Sequence, residues 1–298
     1  MMYHQPVLIK ESIEGLKIKK GGIYIDATYG GGGHSQEILK HIGEGSLIAF
    51  DQDRDAMQNK IDDERLILIN QNFRFIKNFL KLYNAVPVDG ILADLGISSH
   101  QIDQPERGFS LRFEGYLDLR MNRSKSLTAE TIINEYSVNK LRDIFFNYGE
   151  LKNSSKIAAE IEHARTKDRI KTTKQLQEVT KVFAPKGLEN KFYAKLFQSL
   201  RIEVNDELGS LKEFLNQSAD LLKPRGRLVI IAYHSLEDRI VKHFMKAGNF
   251  EGEIKKDFYG NPQGKFKQIS RKPIVPGDEE IERNNRARSA KLRIAERI

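Results

Sequence analysis

Short apolar runs alternate with amphipathic stretches along the first third of the chain. The apolar runs predict strands at residues 23–28, 46–51, 65–70 and 88–95, and the stretches between them carry helical spacing at residues 35–42, 53–60 and 73–83. Strands that alternate with helices at this pace predict parallel βαβ units with right-handed crossovers. Because the runs are almost continuously apolar, we expect a sheet that is covered on both faces.

This alternation stops after Leu95 and resumes at residues 227–233, with one more predicted strand at 289–296. Over about residues 128–183 the apolar positions recur at spacings of three and four, which predicts helices, and Thr172 with Gln175 predicts a capping box. We therefore expect an all-helical domain at residues 104–204, inserted into an α/β core formed by residues 1–103 and 205–298. Residues 248–276, rich in Gly, Pro, Lys and aromatic side chains, are predicted to be a loop excursion.

Composition narrows the classes of function. The chain of 298 residues contains no cysteine, which excludes disulfides, thiolate metal sites and thiol nucleophiles. No apolar stretch approaches the ~18 residues of a membrane span, and Lys10 and Glu11 fall where a signal peptide keeps its apolar region, so we expect a cytoplasmic protein. The net charge of +8 favours a polyanionic partner such as nucleic acid, although a basic enzyme without such a partner has the same balance.

Four consecutive glycines, residues 30–33, connect the first predicted strand to a predicted helix, and that strand carries Asp26 near its end. Bare backbone lets a ligand approach closely, and the free N–H groups of a helix start favour an anion. The dinucleotide fingerprint fits only in part, because Ser35 takes the sixth position. A carboxylate at Asp26 would repel a diphosphate and suits an ammonium or sulfonium, both of which S-adenosylmethionine carries. A tight turn without a ligand is the alternative.

The other predicted strands deliver further groups to the same edge of the sheet. Asp51 is placed to accept both hydroxyls of a ribose, which NAD and S-adenosylmethionine share, or else it caps the next helix. Phe73 either lies against an adenine or belongs to the core. Asp94 ends the fourth strand. Since ligands bind outside the carboxyl ends of parallel strands, we expect a nucleoside cofactor there.

Seven blocks spread from residue 4 to residue 297 resemble one family. They are HQPVL (4–8), GGGGHS (30–35), DLGISSHQIDQPERGFSL (94–111), LDLRMN (117–122), FQSLRIEVNDEL (197–208), YHSLEDRIVKHF (233–244) and NNRARSAKLRIAER (284–297). In content and order they are similar to the bacterial small-subunit ribosomal RNA (cytosine-N4)-methyltransferases, the MraW-like family. One departure from other amino-methyltransferases is that DLGISS stands where many DNA enzymes carry Asn/Asp-Pro-Pro-aromatic, so different acceptors must hold the target amine.

The resemblance implies a class I, Rossmann-like methyltransferase core with a mainly parallel sheet, and an inserted helical domain that recognises the substrate. It implies S-adenosylmethionine as cofactor and methylation of the N4 amine of one cytosine in the decoding region of 16S ribosomal RNA, within the small (30S) ribosomal subunit. No metal is expected. Together with Asp26, the cofactor contacts carried over by motif are Gly32, Gly33, His34, Asp51, Phe73, Asp94 and Gln101.

Methylation of this amine places two demands on the protein. The N4 lone pair is delocalised into the ring, so transfer needs in-line placement and nearby acceptors, and a proton must leave. The candidate catalytic groups are Asp94, Asp103 and His234, and for His234 a capping role in the following helix is an equal alternative.

RNA binding calls for cations beside exposed aromatic rings. Residues 255–272 interleave lysines with Phe258, Tyr259 and Phe266, and residues 283–298 carry six cations, although a solvated strand face would explain these as well. The candidate RNA contacts are Arg107, Arg112, Lys265, Lys267, Arg286 and Arg288. Two alternative functions remain: a nicotinamide-dependent oxidoreductase and a non-catalytic ribosome assembly factor that binds RNA on a methyltransferase scaffold.

Overall fold

The computed structural model describes residues 6–260 and 263–298. Residues 4–5 of the HQPVL block and residues 261–262 of the lysine-rich segment therefore lie outside the described residues. The chain divides into two compact units, a core unit made of Met1–Gly96 with Leu208–Ile298, and an insert unit, Ile97–Glu207. The helical segment predicted at 104–204 lies inside the insert unit, which also contains residues 97–103 and 205–207, whereas the sequence predicts these for the core.

The core unit is built on a seven-stranded sheet with the order β3-β2-β1-β4-β5-β7-β6. Its strands are β1 Ile23–Asp26, β2 Ser46–Phe50, β3 Leu66–Ile69, β4 Val88–Asp94, β5 Leu222–Ala232, β6 Phe266–Gln268 and β7 Lys291–Arg297. Strands β1 to β5 are parallel, and β7 pairs antiparallel with both β5 and β6. The predicted Rossmann-like, mainly parallel fold is confirmed.

Helices connect the strands of the core unit, and the insert unit is built mainly from helices. In chain order they are α1 Ile9–Leu16, α2 Gly33–His41, α3 Ile76–Leu82, α4 Ser99–Asp103, α5 Ala129–Glu135, α6 Val138–Asn147, α7 Ser154–Arg165, α8 Thr173–Thr180, α9 Glu189–Asn205, α10 Glu207–Leu221, α11 Ser235–Ala247 and α12 Asp278–Arg283. Short 3₁₀ helices span Arg54–Asn59, Phe73–Phe75, Pro105–Arg107, Lys181–Phe183 and Asn285–Ser289. No helix of the described residues is long and apolar enough to cross a membrane.

Both faces of the sheet are buried, as its apolar strands predicted. The adjacent residues Ile91 and Leu92 of β4 are each 0% exposed and belong to different apolar clusters, because side chains alternate across a strand. Ile91 joins the face covered by α3, α10 and α11, where Phe214 is buried. Leu92 joins the face covered by α1 and α2, where Ile38 is buried.

Two local predictions are corrected. The helix predicted at residues 53–60 is a 3₁₀ helix, Arg54–Asn59, and the segment predicted as a loop, 248–276, contains β6. Strand β6 has only three residues, and its formation depends on pairing with β7, so its own sequence carries no strand pattern.

The register of the last strands decides which groups lie at which edge. Because β7 runs antiparallel to β5, its first residue, Lys291, pairs with Ala232, at the edge where the parallel strands end. Its last residue, Arg297, pairs with Phe266 of β6. Strand β6 therefore starts at the opposite edge, where the parallel strands begin.

The insert unit has its own apolar core. Leu141 of α6, Ile157 of α7, and Leu196 and Leu200 of α9 are each 0% exposed. The capping box predicted from Thr172 is confirmed, since its side chain accepts a hydrogen bond from the main-chain N–H three residues later and its own N–H is bound in return. The helical character predicted for this segment is thus present.

Candidate cofactor and active site

The glycine loop between β1 and α2 is a close-packed turn that other residues cannot make. Gly30 and Gly32 have φ values of 54° and 78°, in the left-handed region. A Cβ on Gly32 would lie 2.7 Å from the hydroxyl oxygen of Tyr29, and a Cβ on Gly33 would lie 2.3 Å from Cγ of Pro6. Helix α2 begins at Gly33 without a side-chain cap, so its first N–H groups are not capped by a side chain.

Asp51 joins this loop to the end of β2. Its Oδ2 accepts a hydrogen bond from Gly30 N at 2.7 Å, and its Oδ1 accepts one from Asp53 N at 2.8 Å. Burial raises the pKa of Asp51 to about 6 although both hydrogen bonds act in the opposite direction. A carboxylate has about four lone-pair positions, so two remain for ligand hydroxyls. The alternative of helix capping is wrong, because Asp53 caps Arg54–Asn59 instead.

Asp26 does not face the ligand edge as an open carboxylate. It is 0% exposed, its Oδ2 accepts a hydrogen bond from the Ser35 hydroxyl at 2.7 Å, and its Oδ1 accepts one from Thr28 N at 3.1 Å. This enclosure conflicts with the prediction that Asp26 contacts the cofactor directly. Burial raises its pKa, and its hydrogen bonds tie the start of α2 to the end of β1.

Phe73 follows β3, as the sequence predicts, and is the first residue of the 3₁₀ helix Phe73–Phe75. Its ring packs edge-on against Phe214, with 5.1 Å between the centroids, and is only partly buried. One part of the ring therefore packs against the core, while another part remains exposed at the end of β3. The next residue back, Asn72, caps this turn through its side chain.

Asp94 ends β4 and is the centre of a polar cluster. Its Oδ1 accepts a hydrogen bond from the Tyr233 hydroxyl at 2.8 Å, and its Oδ2 lies 3.8 Å from Nδ1 of His34. Its main-chain N–H donates to the Thr28 hydroxyl at 2.6 Å. The carboxylate keeps 23% of its side-chain surface exposed. Burial raises the pKa of Asp94 to about 6.

His34 is held from the other side by the chain near its beginning. Its Nε2 lies 3.1 Å from the carbonyl oxygen of Val7, which can only accept, so Nε2 carries a proton. Only 6% of its side chain is exposed. His34 therefore lies beside Asp94 at a distance too long for a hydrogen bond, and what it offers a ligand is its main chain at the start of α2.

His234 takes the capping position that was one of its two predicted roles. It is the N-cap of α11, and its Nδ1 accepts a hydrogen bond from Glu237 N at 3.4 Å. Its Nε2 lies 3.2 Å from Oε1 of Glu237, which is 3% exposed. With Nδ1 engaged in the cap, His234 has little freedom to accept a proton from a substrate.

Two further predicted site residues belong to the insert unit. Gln101 is 5% exposed and forms a capping box with Ser98 at the start of α4. Asp103 ends α4 and is exposed.

The candidate RNA contacts in the insert unit differ sharply in exposure. Arg107 is 1% exposed, and its guanidinium donates to the main-chain oxygens of Arg120 and Met121 at 3.0 and 3.1 Å. This enclosure conflicts with the prediction that Arg107 contacts RNA, because a phosphate contact needs a guanidinium that solvent reaches. Arg112 is exposed, and Phe113 beside it is 57% exposed.

The candidate RNA contacts of the core unit lie at two different edges. Arg286 and Arg288 are exposed on the turn Asn285–Ser289, just before β7, at the edge that carries Asp94. Lys265 directly precedes β6 and Lys267 is its middle residue, at the opposite edge. By strand register, the main-chain position of Lys267 is about 13 Å along the strands and about 14 Å across the sheet from that of Asp94. This conflicts with the prediction that these lysines grip the phosphates next to the target nucleotide.

Most of the remaining tail cations are already paired. Arg293 and Lys291 contact Asp238 at 2.6 and 3.4 Å, and Arg283 contacts Glu279 at 3.1 Å. The alternative to RNA binding was a solvated strand face, but these three cations are instead paired with carboxylates of the chain.

The sequence interpretation missed Tyr233 and Glu237. Both lie in the YHSLEDRIVKHF block, and Tyr233 directly follows β5 in the way that Asp51 follows β2. The rule that groups beyond strand ends reach the ligand edge would have found Tyr233, had it been applied to the fifth strand as well.

Comparison with known proteins identifies the protein family to which this sequence is similar. The profile of the MraW methylase family matches residues 1–298. A ribosomal RNA small subunit methyltransferase H of Flavobacterium johnsoniae is 57% identical over 299 residues, covering 100% of this chain and 99% of the relative. One of Cytophaga hutchinsonii is 55% identical over 298 residues, covering 99% and 100%.

Among solved structures, an rRNA methylase from Streptococcus thermophilus has a TM-score of 0.44 and 11% identity, over 100% of this chain and 99% of that one. The family assignment rests on the sequence matches, which span the chain from end to end. The chain belongs to the MraW methylase family.

Proposed function

We propose that this chain transfers the methyl group of S-adenosylmethionine to the exocyclic N4 amine of a cytosine in the decoding region of 16S ribosomal RNA. Its partner is the small ribosomal subunit, and its compartment is the cytoplasm. The observation that carries the proposal is the pair of partly exposed carboxylates, Asp51 and Asp94, at the ends of β2 and β4 beside a glycine loop, in a chain 57% identical to a ribosomal RNA small subunit methyltransferase H.

The residues at this edge fit S-adenosylmethionine. Asp51 has lone pairs left for two ribose hydroxyls, and the uncapped start of α2 suits a carboxylate. The charges of Asp51 and Asp94 favour an ammonium and a sulfonium, and they disfavour the diphosphate of a nicotinamide cofactor. The cofactor, when bound, supplies an electrophilic methyl group.

Asp94 is the acceptor best placed to meet a ligand beyond β4. It keeps part of its surface exposed, and only one of its oxygens accepts from Tyr233. A carboxylate there accepts hydrogen bonds from an amino group, whether of the cofactor or of the target base, and lowers the cost of positive charge in transfer. His234 is less suited to this role because its Nδ1 accepts from the start of α11.

The proposed RNA contacts of the core unit form two groups, one at the sheet edge that carries Asp94 and one at the opposite edge. Arg286 and Arg288 serve RNA near the target, since their turn precedes β7 at the edge of Asp94. Lys265 and Lys267, with Phe258 and Tyr259 at 97% and 85% exposure, serve a more distant stretch of RNA. Arg112 and the rest of the insert unit supply further recognition.

The test is methyl transfer to small subunits purified from cells that lack this modification. The chain is incubated with them and with S-adenosylmethionine labelled in its methyl group, and the RNA is digested to nucleosides for mass spectrometry. Label in N4-methylcytidine supports the proposal, and the Asp51→Ala variant is expected to incorporate far less. Binding to the subunits with no label in any nucleoside would instead support the non-catalytic assembly factor.

A further inference from the structure

Tyr233 is fixed at both ends where β5 leads into α11. Its main-chain N–H donates to Oε2 of Glu237 at 3.1 Å, and Glu237 is 3% exposed. Its ring passes close to Gly96, since a Cβ on that glycine would lie 3.5 Å from Cδ2 of the tyrosine. Its hydroxyl donates to Oδ1 of Asp94 at 2.8 Å. The phenol thus has one orientation, and it points at the carboxylate that ends β4.

Asp94 is surrounded by groups that determine its charge. His34 lies beside its Oδ2, Asp26 and Glu237 are the acidic groups whose fields reach it, and Tyr233 is its hydroxyl donor. Burial is the largest influence on Asp94, and it raises the pKa of the carboxyl. The charges of Asp26 and Glu237 raise this pKa further, whereas His34 and the hydroxyl of Tyr233 lower it.

We propose that Tyr233 is a positioning residue of the cofactor site: its hydroxyl holds Oδ1 of Asp94, so that the remaining lone pairs of an ionised carboxylate face the ligand. The inference rests on the proposed function, because it concerns how the same site keeps its acceptor ready. Tyr233 itself need not touch the ligand.

A hydroxyl at this position acts as a donor over the whole accessible pH range. Burial, and then the charge of Asp94, raise the pKa of Tyr233, so the phenol keeps its proton. A donor bound to a carboxylate favours the ionised form and lowers its pKa. When the hydroxyl is removed and the ring retained, Asp94 should therefore hold its proton to higher pH.

The experiment measures the affinity for S-adenosylhomocysteine by calorimetry from pH 5 to pH 8.5 for the full chain and its Tyr233→Phe variant. We expect the acid limb of the affinity profile to move up by about one pH unit, which is about a tenfold loss of affinity below pH 6. Near pH 8.5 the two affinities should agree. The control is Tyr24→Phe, which removes a buried hydroxyl that accepts from Lys19 N at 2.7 Å on β1.

A double variant separates Asp94 from Asp51, whose pKa is also about 6. In an Asp94→Asn background, Tyr233→Phe should leave the pH profile of affinity unchanged. A Tyr233→Phe profile that superimposes on the wild type, or that is lowered equally at every pH, would overturn the inference. If Tyr233→Phe does not fold, 3-fluorotyrosine is placed at this position, because it keeps the ring and is a stronger hydrogen-bond donor. The acid limb of the affinity profile should then move to lower pH, and a limb that does not move would overturn the inference. Absence of binding by the wild type at any pH would instead refute the proposed function.

Discussion

Replacing Asp51 with asparagine removes a charge from the proposed ribose site and keeps the shape of the side chain. Asp51 has lone pairs left for two ribose hydroxyls, and a hydrogen bond to a charged acceptor contributes about 1.5–3 kcal/mol. Asparagine keeps one acceptor oxygen. We therefore expect a loss of about 2–3 kcal/mol of binding free energy, or roughly 30- to 150-fold in Kd for S-adenosylhomocysteine.

The same change should alter the free energy of unfolding of the ligand-free protein at pH 8 by no more than about 2 kcal/mol. Burial raises the pKa of Asp51 from 3.8 to about 6, so the ionised form costs the folded state about 3 kcal/mol above pH 6. Asparagine removes this cost. Its amide N–H₂ also faces one of the two main-chain N–H groups that now donate to Asp51, which costs about 1–3 kcal/mol. The two effects offset each other to within about 2 kcal/mol.

The pH dependence has a definite sign. Because the folded protein binds the proton of Asp51 more tightly than the unfolded chain does, the contribution of Asp51 to wild-type stability should fall as the pH rises from about 4 to about 6 and then stay level. The Asp51→Asn variant should lack the part of this slope that Asp51 contributes.

Calorimetry with S-adenosylhomocysteine and chemical denaturation at pH 5 and pH 8 measure both quantities. The control is Asp63→Asn, since this carboxylate pairs with Arg65 outside the site and should leave affinity unchanged. Asp51→Asn with affinity within threefold of the wild type would refute the assignment of the ribose to Asp51. A large loss of stability that accompanies the loss of affinity would show that removing the buried charge does not compensate for the lost main-chain hydrogen bond.

Three further outcomes follow from the structure. Gly32→Ala should lower the melting temperature more than Gly21→Ala, because both glycines have positive φ values, 78° and 76°, but only at Gly32 would the new Cβ meet a neighbour within 4 Å. Arg107→Ala should lower the free energy of unfolding by about 3 kcal/mol in denaturant titrations, because the buried guanidinium donates to two carbonyls, and it should leave the salt dependence of RNA binding unchanged. Arg288→Ala should reduce the slope of log affinity for RNA against log salt by about one, as measured by filter binding, if its charge meets one phosphate.

The strand ends of the site were predictable from local sequence, whereas the state of each carboxylate was not. Apolar runs identify the parallel strands, and the residues at the carboxyl end of each one must lie at the ligand edge, as Asp51 after β2 and Asp94 at the end of β4 do. Whether such a residue is open to a ligand depends on neighbours from elsewhere in the chain. Asp26 is enclosed by Thr28 and by Ser35 at the start of the next helix, and no strand pattern reveals this.

The cations were harder to place for a related reason. Lys267 and Arg288 lie close in sequence, but the antiparallel pairing of β6 and β7 puts them at opposite edges of the sheet. Charge and aromatic content predict RNA binding without specifying an edge. The burial of Arg107 was equally unpredictable from its own segment, because the main-chain oxygens that bind its guanidinium lie 13 and 14 residues further along the chain.

A crystal structure of this chain with S-adenosylhomocysteine would test the central claim most directly. We expect both ribose hydroxyls within hydrogen-bonding distance of the Asp51 carboxylate, the adenine beside Phe73, and the amino-acid end between the glycine loop and Asp94. A ligand bound at any other edge of the sheet, or one whose ribose makes no contact with Asp51, would contradict the account.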